Sequence, residues 1–515
     1  MDFDRRNFCD GLSELKRLLR NSVAVAVDFE MSGMDSEGRS IEKLDRAVDH
    51  YEKLLKSKGF IVIQFGVCPI LLTDKGYEVH PQNYHVIPHP FEGKDTVFKL
   101  SARSIEFLLE HGFDFATNFK YGLPFLSKED ERKARNKRAK KKAALLETDA
   151  YDARADSTDW SETIEVSVRA AIDSIVTGDS DMQELSLDSF QAKKIVEQWI
   201  RSEHHGVIRV EVDRTNPWKP KLVLVKTTPE EVSALEKADD DKFENTIWEA
   251  IGARHIMEAI IDSKVPWIGH NCLMDLTMAY KQFVAPLPGT YEEFKAGVHR
   301  ALPMIYDTKT MAELHPGIKK LARKSWLGKL YESVQVEEFK TDVHVPAVYE
   351  KYMGDSLAHE AGYDAFMTAI AFIKMAHFVS DDCLQDGVII IPEFLNRLKI
   401  MHSLAVINFG GQDEFVDEDD AFYVYWGDQV VNNSDIVDIF SELTSVRNVR
   451  IDWLTDNSCY VLVKDESARA VLNRPFPGLR TSGIFEITTV AEARNAGLFS
   501  TGLPKPERAP GCSIV

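Results

Sequence analysis

Apolar and polar positions along this chain change period several times, and each change marks an element. Helical spacing near Phe8–Leu19 predicts an amphipathic helix, and a second is expected over about residues 41–57. Between them VAVAV at 23–27 reads as a buried strand that ends in Asp28, Phe29 and Glu30. GFIVIQFGV alternates as a strand from Phe60 to Val67, and a third strand is expected near Tyr77–Ile87 after the turn Asp74-Lys75-Gly76. Strands that follow so closely predict an antiparallel meander, unlike the strict βαβ alternation of a dinucleotide-binding fold.

The pattern then breaks. ERKARNKRAKKKA at 131–143 is strongly basic, and 147–160 is acidic and poor in large aliphatics, as expected of a linker. The basic run reads either as a solvated helix face or mobile linker, or as a nuclear-targeting or phosphate-contacting segment. A small unit follows, with a helix over Ser189–Arg201 and strands at Val207–Val212 and Lys221–Lys226. The α/β pattern returns near 245, so an insertion within a larger domain is expected. PWIGHNCLMD at 266–275 and MIYDTK at 304–309 read as strand ends, and 356–378 as a long helix whose Phe366, Ile370, Phe372 and Ile373 belong to a core. The last unit reads βαββαβ, with its second helix at 466–474, an order that is ferredoxin-like.

Composition narrows the classes. A chain of 515 residues calls for several domains, and 44% hydrophobic with 28% charged residues is ordinary for globular protein. No apolar run is long enough to span a membrane, and MDFDRRNFCDGL lacks the apolar core of a secretory signal. The six cysteines show no CxxC pattern, which favours reduced thiols in an intracellular compartment, cytoplasm or nucleus, and argues against zinc. A net charge of −20 excludes a broadly basic nucleic-acid coat but not an enzyme whose carboxylates hold cations.

The chemistry begins at the first strand. Residues two apart on a strand face one side, so Asp28 and Glu30 project together. Two carboxylates so close repel unless cations compensate them. Asp275 lies in a strand-to-helix turn five residues after His270, and Asp364 lies five residues after His359. Gly362 between the latter pair puts His359 on the approach and Asp364 in the first helical turn. Four carboxylates and a histidine suffice for metal-assisted phosphodiester hydrolysis. Oxygen donors suit Mg²⁺ or Mn²⁺, and an imidazole can take a proton from water.

Asp28-Phe29-Glu30, Asp275 in G-H-N-x-x-x-D, and His359 ahead of Asp364 resemble the DEDDh 3′→5′ exonucleases. FEMSGM, GFDF at 112–115, IGHNCLMD, YDTK and HEAGYDA bring the chain closer still to the poly(A)-specific ribonuclease (PARN) family, which includes small-RNA (piRNA) trimmers. The resemblance covers roughly residues 1–490. It implies an α/β RNase H-like exonuclease domain carrying an inserted R-x-x-x-H-type nucleic-acid-binding domain, and a C-terminal α+β domain like an RNA-recognition motif. The expected boundaries are 1–145 and 240–400 for the nuclease, 160–228 for the insertion, 418–492 for the RNA-recognition-like unit and 493–515 for a flexible tail. Asp28, Glu30, Asp275 and Asp364 would bind two Mg²⁺ ions, or Mn²⁺, and His359 would be the general base. Met31, Phe113 and Phe115 are candidates to pack on the terminal nucleotide, or else belong to the core. Asp307 reads as a buttress of the site or, more simply, as a helix N-cap.

Arg201 and His205 have the R-x-x-x-H spacing and would share a helix face that meets phosphate. Aromatics of the last unit (Phe422, Tyr423, Tyr425, Trp426, Trp453, Tyr460) are available for base stacking, although alternation buries some. Where some relatives carry a cap-binding Trp this chain has Val431, and dimerisation or scaffolding competes as the unit's role. Cys512-Ser513-Ile514-Val515 has a C-a-a-X form but an unusual final residue, so chance is the better reading. The expected activity is trimming of single-stranded RNA with a free 3′-hydroxyl, releasing 5′-nucleotides from poly(A) tails or small-RNA precursors. The resemblance implies a homodimer, and an adaptor partner is left open. The alternatives are a catalytically weak RNA-binding adaptor and a DNA exonuclease.

Overall fold

The computed structural model describes residues 1–33, 47–56, 59–93, 95–147, 160–187, 189–213, 215, 221–354, 359–401, 405–414, 421–444, 449–463, 480–482 and 485–495. The start of the helix expected from residue 41, the acidic segment after Glu147, the helix expected at 466–474 and the tail with Cys512 lie outside the described residues. The chain forms two units: Met1–Ile87, Val97–Leu123 and the residues from His255 onward make one, and Pro88–Thr96 with Pro124–Arg254 the other. Among the described residues no helix is long and apolar enough to cross a membrane.

The larger part of the first unit is built on a mixed sheet. Its strands are β1 (Asp2–Phe3), β2 (Ser22–Met31), β3 (Val62–Thr73), β4 (Gly76–Val79), β5 (Gln82–His85), β6 (Trp267–Gly269), β7 (Ile305–Asp307) and β8 (Val343–His344). They run in the order β1-β5-β3-β2-β6-β7, with β4 bridging β3 and β8. The meander β2–β3–β5 is antiparallel, whereas β6 and β7 join β2 in parallel. Where one strand is expected near Tyr77–Ile87 there are two, pairing with different stretches of β3. Pro81, which has no N–H for a ladder, lies in the break.

The helix Ala361–Val379 packs on this sheet and is apolar nearly all round, as a fully enclosed helix must be. Phe366, Ile370, Phe372 and Ile373 sit in the same cluster as Ile70, Ile268 and Tyr306. Gly66 of β3 makes the close packing possible. A Cβ there would fall 1.9 Å from the Ala361 carbonyl oxygen and 2.6 Å from the Gly362 nitrogen. The helix start therefore touches the strand backbone to backbone.

The C-terminal part of this unit is an antiparallel sheet ordered 450–455, 458–462, 421–425, 485–489, 480–482. Phe422, Trp426 and Phe485 pack on Phe440 of the helix Asn433–Thr444. Tyr423 and Tyr460 point to the other face, which the helix Val490–Asn495 covers through Val490 and Ala493. That packing leaves Tyr423 8% and Tyr460 1% exposed, and of the aromatic stacking candidates Trp453, at 43%, is exposed and Tyr425 partly so.

The second unit wraps a three-stranded antiparallel sheet (Met182–Leu185, Lys221–Lys226, Ile208–Asp213) with the helices Glu162–Thr177 and Phe190–Glu203. Trp199, Val196, Ile172 and Leu224 form its core. The edge strand Met182–Leu185 was not apparent in the sequence pattern, for its polar residues do not alternate cleanly. The basic run lies in the helix Lys128–Glu147, alongside Pro229–Ile251. Arg135 pairs with Glu131 and Glu244, Arg138 with Asp239 and Asp240, and Lys137 with Glu92.

Candidate active site

Alternation along β2 separates two functions. Phe29 turns into the core, its ring 4.5 Å from Phe65 and 6.3 Å from Phe283, and so anchors the strand end. Asp28, opposite Gly66, and Glu30, opposite Gln64, turn to the other side and stay partly open to solvent. Gln64 reaches across as well, its Oε1 accepting the Ala361 N–H at 2.9 Å. Together Gln64 and Gly66 fix the start of the helix whose first turn carries Asp364. His359 precedes that helix, and its backbone N–H lies 3.4 Å from the Asp364 carboxylate. Glu30, His359 and Asp364 each present a ligand atom within 4.8 Å of the other two.

Asp275 arrives from a second direction, in the first turn of Leu273–Ala279. The turn before it is tight, with Asn271 at φ 55° and a Cβ on Gly269 meeting the Cys272 side chain at 2.3 Å. Buried Asp307 holds this turn: one carboxylate oxygen accepts the Cys272 N–H at 2.9 Å while the other caps Thr308–Leu314 through Thr310. It is both the N-cap and the tie to Asp275. His270 is not directed at the carboxylates; its Nδ1 meets the Thr308 hydroxyl at 2.9 Å, and burial lowers its pKa to about 3.

The electrostatics unite the two directions. Burial, then Asp364, Asp275 and Glu30, push the Asp28 carboxyl well above the usual carboxylate range. Glu30 is driven up likewise by burial, Asp364 and Asp275. Burial raises both Asp275 and Asp364 to about 7, although the Phe29 N–H draws Asp275 back and the His359 N–H draws back Asp364. Among the described groups acting on Asp28, Glu30 and Asp364, none is a lysine or arginine. Crowded oxygen donors without a cationic side chain fit a hard divalent ion such as Mg²⁺ or Mn²⁺. Burial, followed by His111, lowers His359 to about 4, so its imidazole is neutral near pH 7.

These shifts set a pH dependence for the metal-free protein. A carboxyl whose pKa is higher folded than unfolded stabilises fully below the unfolded value, about 3.9 for Asp, and its contribution is lost as pH rises through the folded value. The buried histidines act oppositely, so the test is a difference. In EDTA, Asp364→Asn should match wild type in thermal midpoint near pH 4 and exceed it increasingly up to pH 7.5. A difference that stays constant across this range would count against a crowded, uncompensated cluster.

The other candidates are placed as follows. Met31 ends β2, half-buried. Phe113 is buried, 4.6 Å from Phe115 and 6.0 Å from His85, and Phe115 opens the short helix Phe115–Tyr121. Arg201 lies in the last turn of the helix Phe190–Glu203 and His205 in the turn just beyond it, off the helix on which the spacing placed both; each lies near Glu236, at 3.9 and 3.8 Å. They belong to the second unit. Three residues escaped the sequence reading: Gly66, Gln64 and His111. A glycine inside a strand pattern signals close backbone approach, which would have found the first. His111, next to the GFDF block, carried no such signal.

A family model described as CAF1 family ribonuclease matches residues 3–372. The Poly(A)-specific ribonuclease PARN of Xenopus laevis is 28% identical over 502 residues, covering 92% of this chain and 78% of that protein. That of Homo sapiens is 28% identical over 503 residues with the same coverage. The Poly(A)-specific ribonuclease PNLDC1 of Mus musculus is 24% identical over 449 residues, 80% of each chain. Among solved structures, S. pombe Pop2p with Mg²⁺ and Mn²⁺ bound covers 78% of this chain and 98% of its own, at 15% identity and a TM-score of 0.38.

Proposed function

The chain belongs to the CAF1 family of ribonucleases, and from that premise we propose that it is a 3′→5′ exoribonuclease that depends on divalent metal and shortens single-stranded RNA one 5′-nucleotide at a time. The observation that carries this reading is the convergence of Glu30, His359 and Asp364 within 4.8 Å, in electrostatic reach of Asp28 and Asp275. Asp28, Glu30, Asp275 and Asp364 would hold two Mg²⁺ ions, with Mn²⁺ a substitute. Bound there, the ions supply charge neutralisation for the phosphate and acidify the attacking water.

The chain's own groups do the rest. Neutral His359 accepts the proton of the water whose oxygen attacks the last phosphodiester in line. The P–O bond to the preceding nucleotide's 3′-oxygen breaks, that oxygen takes up a proton from solvent, and the terminal residue leaves as a 5′-monophosphate. Asp307 and Gln64 keep Asp275 and Asp364 in register during turnover. Met31, Phe113 and Phe115 are assigned to the side of the site that receives the terminal nucleotide.

The test is a time course on 5′-labelled RNA with Mg²⁺. A ladder shortening stepwise from the 3′ end, abolished by EDTA and by a 3′-phosphate, supports the reading. Internal cuts, or equal decay of single-stranded DNA, would overturn it. The relatives' names point to poly(A) tails, and a small-RNA precursor with a heteropolymeric 3′ end is the other substrate carried forward. Initial rates on oligo(A) against a mixed-sequence RNA of equal length separate the two.

The inserted unit and the C-terminal unit are assigned to RNA engagement and to homodimer formation, and the compartment to cytoplasm or nucleus. For the insertion, Arg201→Ala is expected to lower the salt slope of RNA binding by about one. Turnover at saturating RNA should be unchanged. An unaltered slope, measured by titration at several salt concentrations, would remove Arg201 and His205 from the RNA path.

A further inference from the structure

A general-base histidine is ordinarily held by a hydrogen bond from its second ring nitrogen to a carboxylate or carbonyl. His359 has no such partner among the described residues. Among the described residues neither of its ring nitrogens makes a hydrogen bond, and its backbone sits at φ 70°, a left-handed conformation that side chains rarely adopt. The backbone fixes where the side chain starts, but the ring must be oriented by something else.

Two rings border it. Phe107, in the helix Ala102–Glu110, lies 4.7 Å from the His359 ring with 70° between the planes. His111, the residue that ends that helix, lies 4.3 Å away at 79°. The two are themselves 4.3 Å apart, and the His111 Nδ1 is 2.7 Å from the Phe107 carbonyl oxygen. That bond fixes the His111 ring plane, and it makes Nδ1 the protonated nitrogen of the neutral ring. Edge-to-face contacts at these separations are attractive and directional.

We propose that Phe107 and His111 are positioning residues for His359, a two-ring clamp that orients the imidazole toward the attacking water in place of a hydrogen-bonded partner. The proposal rests on His359 being the general base. It makes ring shape, rather than a second titrating group, the property required at position 111. Phe107 supplies one wall of the clamp and, through its carbonyl, the anchor for the other.

The experiment compares wild type with His111→Ala, His111→Phe, Phe107→Leu and His359→Ala. kcat and KM are measured on 5′-labelled RNA, and the His359 imidazole signals are followed by NMR in the metal-free protein. His111→Ala should lower kcat about tenfold, a part of the 10²–10⁴ that a general base contributes, with KM unchanged. His111→Phe should recover kcat to within about twofold of wild type. Phe107→Leu should lower kcat in the same way as His111→Ala. The His359 ring signals should move toward those of a free histidine in His111→Ala and stay displaced in His111→Phe.

A rise in KM with kcat unchanged would make this an RNA-contacting surface and overturn the clamp. So would a His111→Phe variant as slow as His111→Ala, since imidazole chemistry would then be what matters. Wild-type turnover in His359→Ala would overturn the base assignment itself. An inert His359→Ala beside a fully active His111→Ala would overturn only the clamp.

Discussion

Asp28→Asn should abolish turnover, by at least about 10³-fold, while making the metal-free protein more stable. The two effects share one origin. Asp28 sits in burial that disfavours its charge, and Asp364, Asp275 and Glu30 add repulsion. Asparagine keeps the shape of the side chain and removes an ionisable group from that cluster. The folded state then no longer carries the repulsion, and the midpoint in EDTA at pH 7.5 should rise by about 2 °C. What is lost is the ability to hold a cation in register with Glu30 and Asp364. Wild type should therefore gain more from added Mg²⁺ than the variant, because a ligand stabilises by its preference for the folded state. Initial rates on labelled RNA and thermal melts with and without Mg²⁺ measure both. A variant with a tenth of wild-type activity, or a lower metal-free midpoint, would sink the account.

Gly66→Ala is the second large effect, and it acts at a residue that touches no substrate. Its added methyl would lie 1.9 Å from the Ala361 carbonyl oxygen and 2.1 Å from that carbonyl carbon. Those are backbone atoms at the start of a helix, so no side chain can swing aside. The helix must move out by more than an ångström or the strand must bow. Overpacking of this kind costs about 1–3 kcal/mol and more where backbone must shift. The displaced element carries Asp364 in its first turn, with His359 just before it. A misplacement of about 1 Å at reacting groups costs roughly 10²-fold in rate. We expect kcat to fall on that scale with RNA binding retained, since Arg201 and His205 belong to the other unit. Denaturant titration with single-turnover rates measures both losses, and an active, stable Gly66→Ala would show that the backbones are not in contact.

The parts of this arrangement that could be read in advance are those governed by local period. Two-residue alternation puts Asp28 and Glu30 on one side of a strand and Phe29 on the other, and the structure has them so. The strand-to-helix turn at Asp275 and the placing of Asp364 in the first turn of its helix follow from local spacing alone. Contacts between distant segments left no such trace. Nothing near Tyr423 or Tyr460 announces that Val490 and Ala493 cover their face of the sheet. The split of the strand expected near Tyr77–Ile87 depends on β3 being long enough to pair with two partners, which no local pattern announces. His111 gains its meaning only from where His359 is folded.

The paired helices of the second unit bear on how the basic run 131–143 can be used. Arg135, Lys137 and Arg138 each have an acidic partner within 3.0 Å, so the folded chain spends their charge on its own packing. A receptor that reads lysine and arginine runs as extended peptide would have to pull this helix out first. Were the run to serve as an address, it would become legible only once this helix is freed. Trafficking governed by it would thus report folding state, distinguishing a nascent or damaged molecule from a finished one.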